Sequence, residues 1–328
     1  MREVENLSKR RLDAAELDAL LHSSLGQGGR LEREVTGGTF NTAYRARLSD
    51  GQTVLVKIAP PADTPVLRYE RGILGTEAAV YRQLNSLTGA AVPTPRLLHA
   101  GVDHLVLSWL DGSPWDRLQP HRAELLCREL GQLTALINAI PSPDGRFGYP
   151  APESGLQADD WPTAFGLMMA AVLADAERFG AELGAPAEEF TALLAASGEP
   201  LGEVAESRLV HFDLSPGNVF HDGTRITGLI DHERAFFGDA AAELVSLEFC
   251  GAAGEGSEVV AGYREAGGEL EFTPRLAHRL ALYRVYLGLI LVVESEPRGF
   301  RTSSPEHYAW SRGYLATHLD VLRRHCTA

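Results

Sequence analysis

The chain has 328 residues, of which 45% are hydrophobic and 23% are charged, so it is long enough for about two globular lobes and is not a disordered chain. Its three cysteines show no C-x-x-C spacing, which gives no sign of a disulfide framework or a cysteine zinc site and favours a reducing compartment. The net charge of −14 argues against a nucleic-acid partner, because a phosphate backbone attracts the opposite charge.

The chain carries no pattern typical of export or membrane insertion. Its first twenty residues are charged throughout, and its longest apolar run, residues 285–293, is too short to span a bilayer. We therefore expect a cytoplasmic protein with no signal peptide and no membrane partner. We expect it to be a monomer or a homodimer.

The first 110 residues predict an antiparallel sheet with helices. Periodic leucines predict a helix over residues 8–26, and alternating apolar residues with glycine-containing turns between them predict the strands that follow. The predicted strands cover residues 31–35, 42–48, 53–59, 97–99 and 105–108. A second helix is predicted over residues 69–87, between the third and fourth strands.

The pattern changes to long helical periods after the turn at residues 111–114. The predicted helices cover residues 121–139, 161–183, 186–196, 241–249, 258–266, 274–294 and 305–324. We therefore predict an α+β fold with two lobes, an N-terminal lobe over residues 1–110 and a mostly helical C-terminal lobe over residues 111–328.

One lysine stands out in a chain that otherwise uses arginine. Only Lys9 and Lys57 are lysines among 30 basic residues, and Lys57 lies inside an apolar strand. A compact ammonium there is typical of a residue that binds phosphate. Glu77, on the helix that follows, is the best candidate for the carboxylate that positions it.

A glycine-containing loop precedes this lysine, at the tip of the first predicted hairpin. The loop consists of Gly37, Gly38, Thr39, Phe40 and Asn41. Glycine lets backbone N–H groups approach a phosphate without interference from Cβ atoms. In an antiparallel meander the loop and Lys57 can face one cleft, and we therefore expect both to contact a nucleotide.

Three polar side chains follow two predicted strands in the second half of the chain. Asp213 comes shortly after a strand that ends at residue 210, Asn218 follows five residues later, and Asp231 ends the strand over residues 226–230. One carboxylate that can act as a base, with one amide oxygen and one carboxylate that can hold Mg²⁺, suits phosphoryl transfer. His211, two residues before Asp213, is expected to orient the loop.

The pattern His211-x-Asp213-x-x-x-x-Asn218, followed by Asp231, resembles the catalytic and metal-binding segments of the protein-kinase-like superfamily. The finer sequence DLSPGN at residues 213–218 and the Gly-Asp pair at residues 238–239 resemble the aminoglycoside phosphotransferase family, which also includes choline and fructosamine kinases. The resemblance covers nearly the whole chain.

This resemblance implies a bilobal protein-kinase-like fold with ATP (or GTP) and Mg²⁺ in the cleft between the lobes. It implies that residues 36–44 form the nucleotide loop, that Lys57 and Glu77 form an ion pair, and that the backbones of Ser108 and Leu110 meet the adenine. Asp213 would accept the proton of the attacking hydroxyl, and the next two polar residues, Asn218 and Asp231, would hold the metal.

The same segment departs from protein kinases in ways that favour a small-molecule acceptor. Phe212 stands in place of the arginine of H-R-D, and His232-Glu233 follows Asp231 in place of the Phe-Gly of D-F-G. No A-P-E segment or activation loop stands between Asp231 and the predicted helices that follow it. We therefore expect phosphorylation of a hydroxyl on a small molecule rather than on a protein.

The acceptor is expected to be cationic. Residues 111–328 hold 17 basic and 32 acidic side chains, a net charge of −15, which favours a cationic ligand. Asp160, Glu233 and Glu294 are candidates for its pocket. An aminoglycoside or a basic peptide antibiotic fits this description, and its phosphorylation would confer resistance by inactivation.

Two alternatives remain open from the sequence. A metabolic kinase for a sugar, an amino alcohol or a similar compound would share every catalytic residue. A non-catalytic nucleotide-binding protein would be expected to have lost Lys57, Asp213, Asn218 or Asp231, and all four are present.

Overall fold

A five-stranded antiparallel sheet forms the first part of the protein in the computed structural model, which describes residues 9–36, 38, 40–87, 91–118 and 120–327, without the side chains of residues 120 and 121. The strands are β1 (Gly29–Val35), β2 (Thr42–Leu48), β3 (Thr53–Ile58), β4 (Leu97–Ala100) and β5 (His104–Ser108). They lie in the order β1-β2-β3-β5-β4, and each neighbouring pair is antiparallel.

Two helices, α1 (Ala14–Leu25) and α2 (Ile73–Ser86), pack against this sheet. The first begins later than residue 8, the predicted start, because Asp13 caps it. The Asp13 carboxylate accepts hydrogen bonds from the backbone N–H groups of Ala15 and Glu16, and the Glu16 side chain accepts one from Asp13 N. The buried leucines of α1, Leu17 and Leu21, pack on the apolar side chains of β2 and β3.

The alternation of β3 decides where its lysine points. Val54, Val56 and Ile58 belong to the cluster under α1, so Leu55 and Lys57 lie on the opposite face of the sheet. That face is the one that borders the cleft described below.

Most of the remaining chain is helical. The helices are α3 (Pro120–Asn138), α4 (Trp161–Phe179), α5 (Ala187–Ala196), α6 (Gly198–Leu201), α7 (Glu243–Leu247), α8 (Glu258–Glu265), α9 (Pro274–Glu294), α10 (Phe300–Ser303) and α11 (Pro305–Thr327). Among the described residues α9 alone has the length and hydropathy to cross a membrane, but 83% of its most apolar window is buried inside the protein. It is therefore the central core helix of this part.

Short strands interrupt the helices and hold the loops of interest. They are β6 (Ser113–Pro114), β7 (Phe147–Gly148), β8 (Gln157–Ala158), β9 (Arg208–Val210), β10 (Val219–His221), β11 (Ile226–Leu229) and β12 (Phe236–Gly238). The hairpin of β10 and β11 pairs Val219 with Leu229, and β12 pairs antiparallel with β9. These pairings carry residues 211–218 and 230–235 to the same edge of the protein.

The antiparallel N-terminal sheet and the helical C-terminal part predicted from the sequence are both confirmed. The strands β10 and β12 were not predicted. Each has three residues, which is too short for an alternating pattern to be recognised.

Candidate active site between the sheet and the helices

A cleft of about 440 Å³ separates the sheet from the helical part. Apolar side chains of the sheet and of α2 line one wall, among them Leu55, Leu107 and Tyr81. Polar side chains of the loops after β9 and β11 line the other, among them Asp213 and Asp231. The shape and the mixed lining are typical of a nucleotide-sized site.

The loop after β9 is held in a strained conformation. Phe212 has a φ of 60°, in the left-handed region that residues other than glycine rarely adopt. The two carboxylate oxygens of Glu243 accept hydrogen bonds from the backbone N–H groups of His211, at 2.5 Å, and of Phe212, at 2.9 Å. The Phe212 ring is buried 5.1 Å from the ring of Phe236, measured between centroids. Together these contacts fix the loop that carries Asp213.

The buried His211 ring forms hydrogen bonds with this loop and with the loop after β11. Its Nε2 lies 3.0 Å from the carbonyl oxygen of Ile230, and its Nδ1 lies 3.3 Å from Asp213 N. Burial lowers the pKa of His211, so the ring is neutral near pH 7 and donates through Nε2 to the carbonyl. The ring therefore joins the two loops of the site and accepts a hydrogen bond from the backbone of Asp213.

Asp213 is the carboxylate best placed to act as a base. Its side chain is 23% exposed, and its Oδ2 lies 3.8 Å from Nε of Arg234. Burial raises the pKa of Asp213 to about 6, although the Arg234 guanidinium opposes the rise. The carboxylate is therefore ionised at neutral pH and basic enough to take a proton.

Asn218 and Asp231 meet at the β10–β11 hairpin. Ile230 N donates to Asn218 O at 3.0 Å, which brings the two residues to one end of the hairpin. Asn218 Nδ2 donates to Asp213 O at 2.9 Å, so the amide oxygen is the group left for the cleft. Asp231, with a φ of 65°, presents its carboxylate from a second strained position. One amide oxygen and one carboxylate are hard ligands that fit Mg²⁺.

Lys57 lies at the centre of a buried acidic cluster. Its Nζ donates to Glu77 at 2.7 Å, to Asp231 at 2.5 Å and to Glu233 at 3.1 Å. Burial alone would lower the pKa of Lys57, but the three carboxylates, Asp231 foremost, raise it well above its ordinary value. The predicted pairing of Lys57 with Glu77 is present, and two further partners join it.

This cluster holds more negative than positive charge. Burial raises the pKa of Glu233 to about 8, and the neighbouring Asp231 adds to the rise. Burial also raises the pKa of Glu77, whereas Lys57 holds the pKa of Asp231 below its ordinary value. One oxygen from each of the three carboxylates lies within 4.8 Å of the others. Three carboxyl groups therefore share one ammonium, and the raised pKa of Glu233 reduces their mutual repulsion.

The nucleotide loop and the predicted hinge also border the cleft. Gly38, Phe40 and Asn41 line it, whereas Gly37 and Thr39 lie outside the described residues. Asn41 Nδ2 donates to Glu233 at 2.9 Å, which ties the loop to the lysine cluster.

Ser108 and Leu110 line the cleft at the end of β5. Ser108 N donates to Arg96 O, while Arg96 N donates to the Ser108 hydroxyl rather than to the Ser108 carbonyl. The contact of the Ser108 and Leu110 backbones with adenine stays a prediction.

The three acidic residues predicted for the acceptor have other contacts. Asp160 caps α4, accepting hydrogen bonds from N and Oγ1 of Thr163 at 2.8 and 2.9 Å, and it is not among the residues that line the cleft. Glu233 bonds to Lys57 and Asn41, on the nucleotide side. Glu294 is buried against two arginines, described next.

The predictions missed a network of buried ion pairs beside Asp213. Glu294 accepts from Arg234 Nη2 at 2.8 Å and lies 2.6 Å from Arg298 Nη1, while Arg298 Nη2 lies 2.6 Å from Glu70. Arg234 and Arg298 both line the cleft. Of these four residues only Glu294 was singled out, and no spacing in the sequence relates residue 70 to residue 298. Glu243 was missed for the same reason.

The fold and the family define a kinase-like phosphotransferase. A model of the phosphotransferase enzyme family matches residues 32–283, and the chain belongs to that family. A comparison with curated protein sequences found no match.

Several solved structures share the fold. A putative fructosamine-3-kinase from Thermobifida fusca aligns with a TM-score of 0.70 and 21% identity, over 96% of this chain and 100% of its own. A thermostable mutant of the aminoglycoside phosphotransferase APH(4)-Ia, solved with ADP and hygromycin B, aligns with a TM-score of 0.62 and 19% identity, over 93% and 98%. The macrolide 2'-phosphotransferase MphH from Brachybacterium faecium aligns with a TM-score of 0.58 and 23% identity, over 91% and 98%. The predicted family and the predicted protein-kinase-like fold are thereby confirmed.

Proposed function

We propose that this protein transfers the γ-phosphoryl group of ATP (or GTP), with Mg²⁺, to a hydroxyl of a small cationic molecule, an antibiotic that it inactivates in the cytoplasm. The observation that carries the proposal is the meeting of Lys57, Asp213, Asn218 and Asp231 in one cleft. A base, two hard oxygen ligands and a phosphate-binding ammonium are the parts that phosphoryl transfer needs.

Each part has one task in the reaction. Lys57 binds the α- and β-phosphates, and Glu77 positions it. Asn218 and Asp231 would hold Mg²⁺, which would neutralise charge on the phosphates. Asp213 hydrogen-bonds to the acceptor hydroxyl and takes its proton as the oxygen bonds to the γ-phosphorus. Positioning and charge neutralisation supply most of the rate enhancement.

The proposed cationic acceptor rests on charge. Residues 111–328 carry a net charge of −15, which attracts cations and disfavours nucleic acids. Among the structural relatives, APH(4)-Ia was solved with hygromycin B, an example of an antibiotic bound by this fold. The active unit is proposed to be a monomer or a homodimer.

A specific observation favours the second candidate, a metabolic kinase for a sugar, an amino alcohol or a similar compound, and within it an uncharged acceptor such as a sugar. Asp160 caps a helix, Glu233 bonds to Lys57, and Glu294 is paired with two arginines. None of the three carboxylates is thus without a partner, and a cation would have to compete for them.

A screen of acceptors separates the two candidates. Cationic antibiotics and metabolites, among them sugars and amino alcohols, are incubated with the protein, ATP and Mg²⁺, and the addition of one phosphate is scored by mass spectrometry. Phosphorylation of cationic antibiotics supports the first candidate, and phosphorylation of sugars or amino alcohols alone supports the second. Intact ATP binding without any product contradicts both and favours a non-catalytic nucleotide-binding protein.

A further inference from the structure

Arg234 is a buried arginine with unused hydrogen-bond donors at the point where the reaction would occur. Its side chain is 11% exposed and lines the cleft. Its Nη2 donates to both oxygens of Glu294, at 3.0 and 2.8 Å. Nε and Nη1 have no hydrogen-bond acceptor within the described part of the chain, and Nε lies 3.8 Å from Asp213 Oδ2. A guanidinium donates hydrogen bonds in several fixed directions, so the N–H groups of Nε and Nη1 remain available to a ligand.

The surrounding ion pairs fix this guanidinium in place. Glu294 is shared between Arg234 and Arg298, and Arg298 also bonds to Glu70 at 2.6 Å. The Arg298 guanidinium lies 5.6 Å from the ring centroid of Phe40, in the nucleotide loop. Arg234 is therefore preorganised, and its unused donors need no rearrangement to meet a ligand.

We propose that Arg234 is a catalytic residue whose Nε and Nη1 donate hydrogen bonds to the phosphoryl group in transit between nucleotide and acceptor. This inference rests on the proposed function. The acceptor oxygen must lie within about 2.6–3.2 Å of the Asp213 carboxylate. It must also approach the γ-phosphorus to about 3–3.5 Å. The transferring group thus lies close to the carboxylate that Arg234 already faces.

The chemistry of the step explains the need for an arginine. The acceptor oxygen forms a bond to the γ-phosphorus while the bond from that phosphorus to the β–γ bridging oxygen breaks. The hydroxyl proton passes to Asp213, and ADP leaves with the bonding electrons. Negative charge spreads over the equatorial phosphoryl oxygens during this transfer. A fixed guanidinium stabilises that charge, in the way that an arginine supplied within the same chain acts in other phosphoryl transfers.

The variant R234K separates this role from a structural one. A lysine keeps the positive charge opposite Glu294 but cannot donate from a planar fork to Glu294 and to a phosphoryl group together. R284K is the matched control, because Arg284 lies on α9, forms a two-point ion pair with Glu248 and is not among the residues that line the cleft.

The measurements use the full chain and need no identified acceptor. We expect the kcat of Mg²⁺-dependent ATP hydrolysis to fall by about 10²-fold or more in R234K, with little change in the KM for ATP.

Aluminium fluoride, which mimics the planar phosphoryl group, should tighten MgADP binding to the wild type and to R284K in calorimetry. It should not do so in R234K, while the affinity for MgADP alone is retained.

Each outcome decides between these roles. R234K with wild-type kcat and normal aluminium fluoride binding overturns the inference alone. A change confined to the KM of an acceptor, once one is found, also overturns it, because Arg234 would then contact the acceptor. Wild-type protein that neither hydrolyses ATP nor binds MgADP overturns the proposed function and this inference with it. If R234K does not fold, the double variant R234Q/E294Q removes both partners of the buried pair and takes its place.

Discussion

Two buried clusters of charged side chains border the cleft, and they differ in charge balance. In the first, the lysine cluster, one ammonium faces three carboxylates. It consists of Lys57, Glu77, Asp231 and Glu233. In the second, the arginine cluster, two guanidinium groups face two carboxylates. It consists of Arg234, Arg298, Glu70 and Glu294.

The two clusters therefore differ in whether their charges are balanced without a ligand. The lysine cluster has more carboxyl groups than ammonium groups, and the raised pKa of Glu233 reduces the repulsion between them. The charges of the arginine cluster balance one another, so the cluster is stable without a ligand and holds the Arg234 side chain in a fixed position. Asp213 has a charged neighbour in each cluster: burial raises its pKa, Arg234 opposes the rise and Asp231 adds to it.

The largest expected effect comes from removing a metal ligand or the base. D231A and D213A should each reduce phosphoryl transfer by about 10³-fold or more, because each removes a group that acts on the reacting phosphate or hydroxyl. Transfer is measured by phosphate addition to an acceptor from the screen, and folding by circular dichroism. Normal turnover by either folded variant would remove the basis of the proposed function.

The second prediction contrasts one glutamate from each cluster. E294Q should lower the free energy of unfolding by about 3–5 kcal/mol, because it leaves Arg234 and Arg298 short of a buried counter-charge. E233Q should raise it instead, because the raised pKa keeps Glu233 largely protonated in the folded protein at pH 7, whereas the unfolded chain must take up that proton to fold and glutamine need not. Urea unfolding at pH 7 measures both.

The pH dependence of the two variants provides the control. A carboxylate whose folded-state pKa is raised lowers the stability as the pH rises from its unfolded value of 4.5 to its folded value of about 8. The wild type should therefore lose stability relative to E233Q across that window. Equal losses from E233Q and E294Q at pH 7 would contradict the distinction between the clusters.

The third prediction concerns the acid limb of activity. The pKa of Asp213 is raised to about 6, and a base works only when it is ionised, so activity is present above pH 6 and is lost as the pH falls through that value. Below it, kcat/KM should fall about tenfold per pH unit. The profile is recorded between pH 5 and 9 with unfolding followed in parallel, and a flat profile down to pH 5 in folded protein would argue against Asp213 as the base.

The sequence predicted the parts of the site that local patterns encode. Asp213, Asn218 and Asp231 follow short strands at fixed spacings, and Lys57 interrupts an apolar one, so these residues could be picked out from local patterns, although the packing of the two parts is what brings Lys57 to the others. The arginine cluster was not predictable in this way. Its ion pairs join residues as far apart as Glu70 and Arg298, and only the packing of the two parts brings these together.

The acidic composition predicted the residues of the acceptor pocket less well, for a related reason. A count of carboxylates gives the charge of a region but not the partner of any one residue. Glu294 looks like a candidate for a cationic ligand in the sequence, yet it is buried between two guanidinium groups. The electrostatic field of residues 111–328 can attract a cation while its individual acids are already paired.

Asp160 gives the smallest effect and the clearest test of this point. It lies outside the cleft lining and caps α4 through Thr163, so D160A should lower the free energy of unfolding by about 1 kcal/mol. D160N should retain most of that stability, because asparagine is an equally good capping residue. Neither variant should change the KM for the acceptor, as measured with a compound from the screen. A raised KM for a cationic acceptor in both variants, with D160N as stable as the wild type, would instead make Asp160 a ligand of the substrate, because only the charge would then account for the loss.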